Sequence, residues 1–229
     1  MADLGMIVGP FSTPEQARQW AYEMARAGTT GLPLRVREVL RAGIEETPAI
    51  KAARAWAQGF PESGPPVQDA FGWLPGERGD VKGQPNLVFT GPVGTGKTVA
   101  AAVAMIEAAG RTGQEARYYQ VTELLDELRP REDKGPRLEL AEVAAVPIVV
   151  LDDLGAERIT DWAAERLELL IAKRYDNMLP TVVTTNLSRQ ALAEAIGARA
   201  ASRLLGGAVV HVIRGRDRRM GAVLEAQVS

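Results

Sequence analysis

Two groups of residues in this sequence have the types and spacing that phosphate chemistry needs. The first is Gly91-Pro92-Val93-Gly94-Thr95-Gly96-Lys97-Thr98, which follows the apolar run Leu87-Val88-Phe89-Thr90 and opens an alanine-rich stretch. Glycines let successive backbone N–H groups turn inward without a Cβ in the way, and a helix starting beside them adds partial positive charge. A lysine after the last glycine reaches the β- and γ-phosphates of a nucleotide, and the next hydroxyl is placed for Mg2+. All eight residues from Gly91 to Thr98 are therefore expected to line a nucleotide site. The second group is Ile148-Val149-Val150-Leu151-Asp152-Asp153, an apolar strand ending in two acids. The carboxyl ends of parallel strands face the ligand, so Asp152 is expected in the magnesium shell and Asp153 beside the attacking water. The loop alone is common to nucleotide kinases, GTPases and ATPases. The acidic pair downstream selects ATP binding with hydrolysis.

The surrounding pattern supplies the elements that must position these groups. From Asn86 onward, β-rich runs (Leu87–Thr90, Ala116–Val121, Pro147–Leu151, Thr181–Thr184 and Ala208–Ile213) alternate with helical ones. The helical stretches lie near Lys97–Ala109, Thr122–Arg129, Thr160–Asn177 and Arg189–Ile196. Such alternation specifies an α/β unit over residues 86–229, a parallel sheet with helices on both faces. Residues 1–60 read as a helical N-terminal region. Thr13-Pro14-Glu15-Gln16 forms a capping box ahead of the stripe Ala17, Trp20, Ala21, Met24 and Ala25, and Thr47-Pro48 precedes Ile50, Ala53, Ala57 and Phe60. Stripes of this kind pack on the parent domain or present a docking face to a partner. Residues 61–85 hold ten Gly or Pro and read as a linker or loop, with Phe71, Trp73 and Leu74 as its apolar cluster.

Composition narrows the classes. A chain of 229 residues, 46% hydrophobic and 24% charged, suits one main globular domain. Zero cysteines exclude disulfides, a thiol nucleophile and a Cys-based metal site, and one histidine, His211, leaves no histidine cluster. These features suit a reducing cytoplasm, and the apolar runs are too short to span a bilayer or to export the chain. The net charge of −2 conceals polarity, because Arg199, Arg203, Arg214, Arg216, Arg218 and Arg219 crowd the stretch after Gly197.

Taken in order, the motifs resemble the AAA+ ATPases of the DnaC/IstB group, which comprises bacterial helicase loaders and transposition helper ATPases. Besides the loop, the resemblance rests on Gly31-Leu32-Pro33-Leu34-Arg35, Leu151-Asp152-Asp153-Leu154-Gly155-Ala156-Glu157, Arg174-Tyr175, Thr184-Thr185-Asn186-Leu187, Arg199-Ala200-Ala201-Ser202-Arg203-Leu204 and Asp217-Arg218-Arg219. It implies that Asn186 is a sensor between the water and the γ-phosphate. It also implies that Arg203 is an arginine finger acting on a neighbouring subunit of a homo-oligomer, with Arg199 as its support. Arg219 corresponds to the late sensor arginine that contacts nucleotide. Thr160 and Trp162 correspond to residues that touch single-stranded DNA, although Trp162 equally fits a core position of the helix reaching Asn177. The implied cofactors are ATP and Mg2+, and the implied partner is a replicative DNA helicase or, alternatively, a transposase. The short stretch after Arg203 leaves no room for a helical lid domain. Two features depart from the group: without cysteine there is no N-terminal zinc module, and residues 61–85 form a long insertion. Asp153 stands where many AAA+ proteins carry glutamate, which leaves open a nucleotide-binding adaptor with little turnover.

Overall fold

A computed structural model describes residues 19, 31–63, 67–69, 72–74, 78–130, 135–155 and 159–215. The first helical stripe, Ala17 to Ala25, and Arg219 lie outside the described residues. A short antiparallel ribbon, β1 (Val67–Asp69) with β2 (Gly72–Leu74), lies in the Gly/Pro-rich stretch. The main sheet is parallel throughout and has the order β4-β5-β6-β3-β7, with β3 Leu87–Thr90, β4 Ala116–Gln120, β5 Ile148–Asp152, β6 Thr181–Thr185 and β7 Val209–Val212.

Strand periodicity divides the apolar side chains between two cores. Leu87, Phe89, Ile148, Val150 and Val182 face one side, and Val88, Val149, Leu151 and Val183 face the other. Both faces are covered, which explains why the central strands read as continuous apolar runs rather than alternating ones. On the first face lies α3 (Lys97–Thr112), whose residues from Ala100 to Ile106 are all buried. It is enclosed because α2 (Pro48–Gln58) packs across its outer side, with Ala49, Ile50, Ala53, Trp56 and Ala57 buried. Alanines on both helices allow the close approach. Thr47 caps α2 by accepting from Ile50 N–H at 3.2 Å, and Trp56 Nε1 donates to Pro85 O at 2.8 Å. In α1 (Leu34–Ala42), Val36 and Leu40 join the same cluster.

Of the two readings open for the N-terminal stripes, packing on the parent domain is the one that the described stripe takes. The stripe Ile50, Ala53, Ala57 and Phe60 is buried in the main core, as is Val81 from the expected linker. On the second face lie α4 (Val121–Glu127), α5 (Leu140–Ala145), α6 (Asp161–Asp176), α7 (Arg189–Ile196) and α8 (Ala198–Leu205). α5 was not legible in the pattern, because six residues are too few for a helical period to show. Among the described residues no helix is long and apolar enough to cross a membrane.

Arg174, near the end of α6, is only 1% exposed. Its guanidinium donates to Val146 O at 2.6 Å, Pro180 O at 2.6 Å, Thr181 Oγ1 at 2.9 Å and Ala144 O at 3.3 Å. Burial pushes it down to about 9, so it stays charged at neutral pH, held by carbonyl dipoles. One side chain thereby ties the end of α6 to the end of α5 and to the entries of β5 and β6. Arg174→Leu strands several buried carbonyls and is expected to lower the unfolding free energy by about 3 kcal/mol or more, read from the urea midpoint. Arg174→Lys, a point charge without the planar fork, recovers only part of that loss.

Candidate nucleotide-binding site

Between β3 and α3 the chain makes the turn that the glycines anticipated. Gly96 sits at φ 96°, in the left-handed region, as the cap of α3. A Cβ there would meet nothing, so the backbone angle rather than space calls for glycine. Gly91 differs, because a Cβ on it would lie 2.1 Å from Ile213 O just past β7. Thr95 Oγ1 donates to Pro92 O at 2.9 Å and closes the loop, while Pro92 and Val93 form its exposed crest. Lys97 is buried at the base, where its ammonium donates to Gly91 O at 2.8 Å, Pro92 O at 2.7 Å and Asn186 Oδ1.

β5 delivers the two acids beside this loop and turns them apart. Asp152 is buried, and its Oδ2 accepts from Thr98 Oγ1 at 3.2 Å and from Tyr118 Oη at 2.5 Å. Its Oδ1 accepts from Thr184 Oγ1 at 2.6 Å. Asp153 takes φ 60°, unusual for a residue with a side chain. Its N–H donates to Thr184 Oγ1 at 2.8 Å, and its Oδ1 accepts from Asn186 Nδ2 at 3.4 Å. Asn186 thus joins the lysine of the loop to the second acid. Backbone strain of this kind, held in place by surrounding bonds, is concentrated at functional sites.

Lys97, Thr98, Asp152, Asp153 and Asn186 are therefore brought together as the sequence led us to expect. Thr184 and Tyr118 belong to the same cluster, although sequence reasoning gave neither a role. The available signals were a hydroxyl at the end of the strand beside the acids, and a tyrosine at an inward position of β4. Thr98 and Asp152 present a hydroxyl and a carboxylate, the hard oxygen donors that Mg2+ takes alongside substrate phosphates, so the residues present fit that ion.

Other expected residues lie elsewhere. Arg203 is half-buried on α8, with its guanidinium 6.0 Å from the centre of the Tyr175 ring, and it lines a cavity of about 600 Å3 with Asn86. Asn86 Nδ2 donates to Leu204 O at 3.0 Å, so Arg203 stands by the entry of β3, at the opposite end from the loop. Arg199 is exposed at the start of the same helix. Thr160 caps α6 by accepting from Ala163 N–H at 3.3 Å. Trp162 is half-buried against the second core, and the Arg129 guanidinium lies 5.1 Å from its ring centre. Both residues thus have structural work in this fold.

Comparison with known proteins agrees with this architecture. The model of the family described as IstB-like ATP binding protein matches residues 80–213, which include the loop and the acidic strand end. The ATP-binding protein of insertion sequence IS5376 from Geobacillus stearothermophilus is 27% identical over 141 residues, covering 59% of this chain and 55% of the relative. The uncharacterised protein YdaV of Escherichia coli K12 is 30% identical over 121 residues, covering 52% and 48% respectively. The chain spans about half the length of the curated relatives it matches. Among solved structures, the DnaC helicase loader superposes with a TM-score of 0.63 at 23% identity, covering 80% of this chain and 100% of that one. DnaI gives 0.60 at 26% identity, covering 82% and 94%. With its loop, acidic strand end and five-stranded parallel sheet in place, the chain belongs to the IstB-like ATP-binding proteins, within the DnaC/IstB group of AAA+ P-loop proteins.

Proposed function

We propose that this chain is an ATP-hydrolysing switch that loads a replicative DNA helicase. The observation that carries the hydrolytic part is the bridge made by Asn186, which accepts from Lys97 and donates to Asp153. Lys97 cannot serve the loop carbonyls, Asn186 and the β- and γ-phosphates together. Arrival of ATP therefore draws the ammonium away and frees Asn186 to face the γ-phosphate. Asp153, turned out of the strand, orients and polarises the attacking water. Thr98 and Asp152 would hold Mg2+, which would supply the charge neutralisation that the phosphates need.

The position of Arg203 at the far end of β3 from its own loop supports action on the nucleotide of a second copy. Contact with single-stranded DNA through Thr160 and Trp162 completes the loader reading, with Arg129 as an added cation for phosphate. The partner follows from the resemblance of the motifs to the loader group. A second reading, a transposition helper, is favoured by the likeness to the ATP-binding protein of IS5376. Recovery of a replicative helicase with the ATP-loaded chain from its own cells supports loading, and recovery of a transposase in its place establishes the second reading.

Two results test the chemistry. Lys97→Ala is expected to weaken ATP binding about 100-fold, as loss of a charge-assisted contact predicts. Asp153→Asn should keep ATP bound and slow phosphate release at least about 100-fold. Wild-type turnover in Asp153→Asn would remove Asp153 from catalysis. For action between subunits, Arg203→Ala and Lys97→Ala proteins should each be inactive alone and regain turnover when mixed. With co-assembly verified, no recovery at any ratio refutes the trans finger.

A further inference from the structure

We propose that Tyr118 is a positioning residue for Asp152, fixing through its hydroxyl the carboxylate oxygen that faces the metal side of the site. The inference rests on the reading of this chain as a Mg2+-dependent ATPase and deepens it.

The register places the tyrosine. β4 runs parallel to β5 with Tyr118 opposite Val150 and Gln120 opposite Asp152. Alternate residues share a face, so Tyr118, Val150 and Asp152 point to the same side of the sheet, the side covered by α3. Tyr118 is 5% exposed and belongs to the same apolar cluster as Val150. From there it reaches toward the carboxyl end of β5, and its hydroxyl lands on Asp152 Oδ2 at 2.5 Å.

That oxygen also accepts from Thr98, the hydroxyl expected on Mg2+, whereas Thr184 holds the other oxygen. Three hydroxyls from α3, β4 and β6 therefore fix the plane of one buried carboxylate. They do so with neutral donors, which leaves the negative charge available for a cation. Burial, reinforced by the charge of Asp152, pushes the Tyr118 phenol far above its ordinary value. Phenylalanine would fill the same apolar space, so packing alone does not account for the hydroxyl. A hydroxyl taken into a core must find a partner, and this one has found the carboxylate expected in the metal shell. Partners that orient a metal-shell ligand in this way matter to metal affinity by roughly 10–100-fold.

The test uses the full chain, a fluorescent ATP analogue and Mg2+ titrated from chelated buffer. Tyr118→Phe should bind the metal-free analogue with wild-type affinity and remain folded, its urea midpoint lowered by no more than the loss of one hydrogen bond. The Mg2+ concentration at half-maximal tightening should rise about 10-fold. Tyr119→Phe, altered on the neighbouring residue that faces the other core, should leave that midpoint unchanged. A folded Tyr118→Phe with the wild-type Mg2+ midpoint overturns the proposal, and so does an equal shift in Tyr119→Phe, which would make the effect a general one of the strand. If Mg2+ does not tighten binding to the wild-type protein, the ATPase reading itself fails, a result distinct from either.

Discussion

Between β5 and β6 one hydroxyl sets the geometry of the whole site. Thr184 Oγ1 donates a hydrogen bond to Asp152 Oδ1 at 2.6 Å and accepts one from Asp153 N–H at 2.8 Å. Two adjacent acids on an ordinary strand would point to opposite faces, into two apolar cores that cannot hold them. The threonine resolves this by ending the strand at Asp152 and turning Asp153 through a left-handed angle. The first acid stays in the buried shell beside Thr98, and the second swings out to meet Asn186. Leu154 N–H then donates to Thr184 O at 2.9 Å, which holds the turn from its far side. The different environments of Asp152 and Asp153 thus originate in β6 rather than in the acids themselves.

The scaffold places its rigidity where this geometry requires it. α3 carries Lys97 and Thr98 at its first turn and is enclosed between the sheet and α2. Arg174 ties the entries of β5 and β6 at the end remote from the site. The strands that carry the acids and Asn186 are therefore fixed at their beginnings by hydrogen bonds and along their lengths by packing. Their carboxyl ends are left to the chemistry, as open parallel sheets generally arrange it.

Much of this was legible in the sequence, and the exceptions have physical causes. The loop could be read because glycine, lysine and threonine at fixed spacing each answer a separate demand. The acidic pair could be read because apolar strands rarely end in two carboxylates without a ligand to face. The stripe from Ile50 to Phe60 was equally visible, but a stripe states only that a face is buried and not against what. In this case the cover is α3, and the small side chains at Ala49, Ala53 and Ala57 were the cue to close helix contact. Thr184 and Tyr118 escaped because their roles depend on which strands become neighbours. Nothing local in the sequence says that β6 and β4 flank β5.

The contact between Gly91 and Ile213 carries a mechanical consequence. Ile213 N–H donates to Thr90 O at 2.7 Å, and Ile213 O sits where any side chain on Gly91 would have to go. An outermost strand ordinarily frays or slides with little effect on the interior of its sheet. This one is keyed into the first residue of the phosphate loop, so β7 cannot shift along its length without deforming the cradle. A force applied to this border of the molecule is passed to the phosphate loop by the β3–β7 ladder and by the close approach of Ile213 to Gly91.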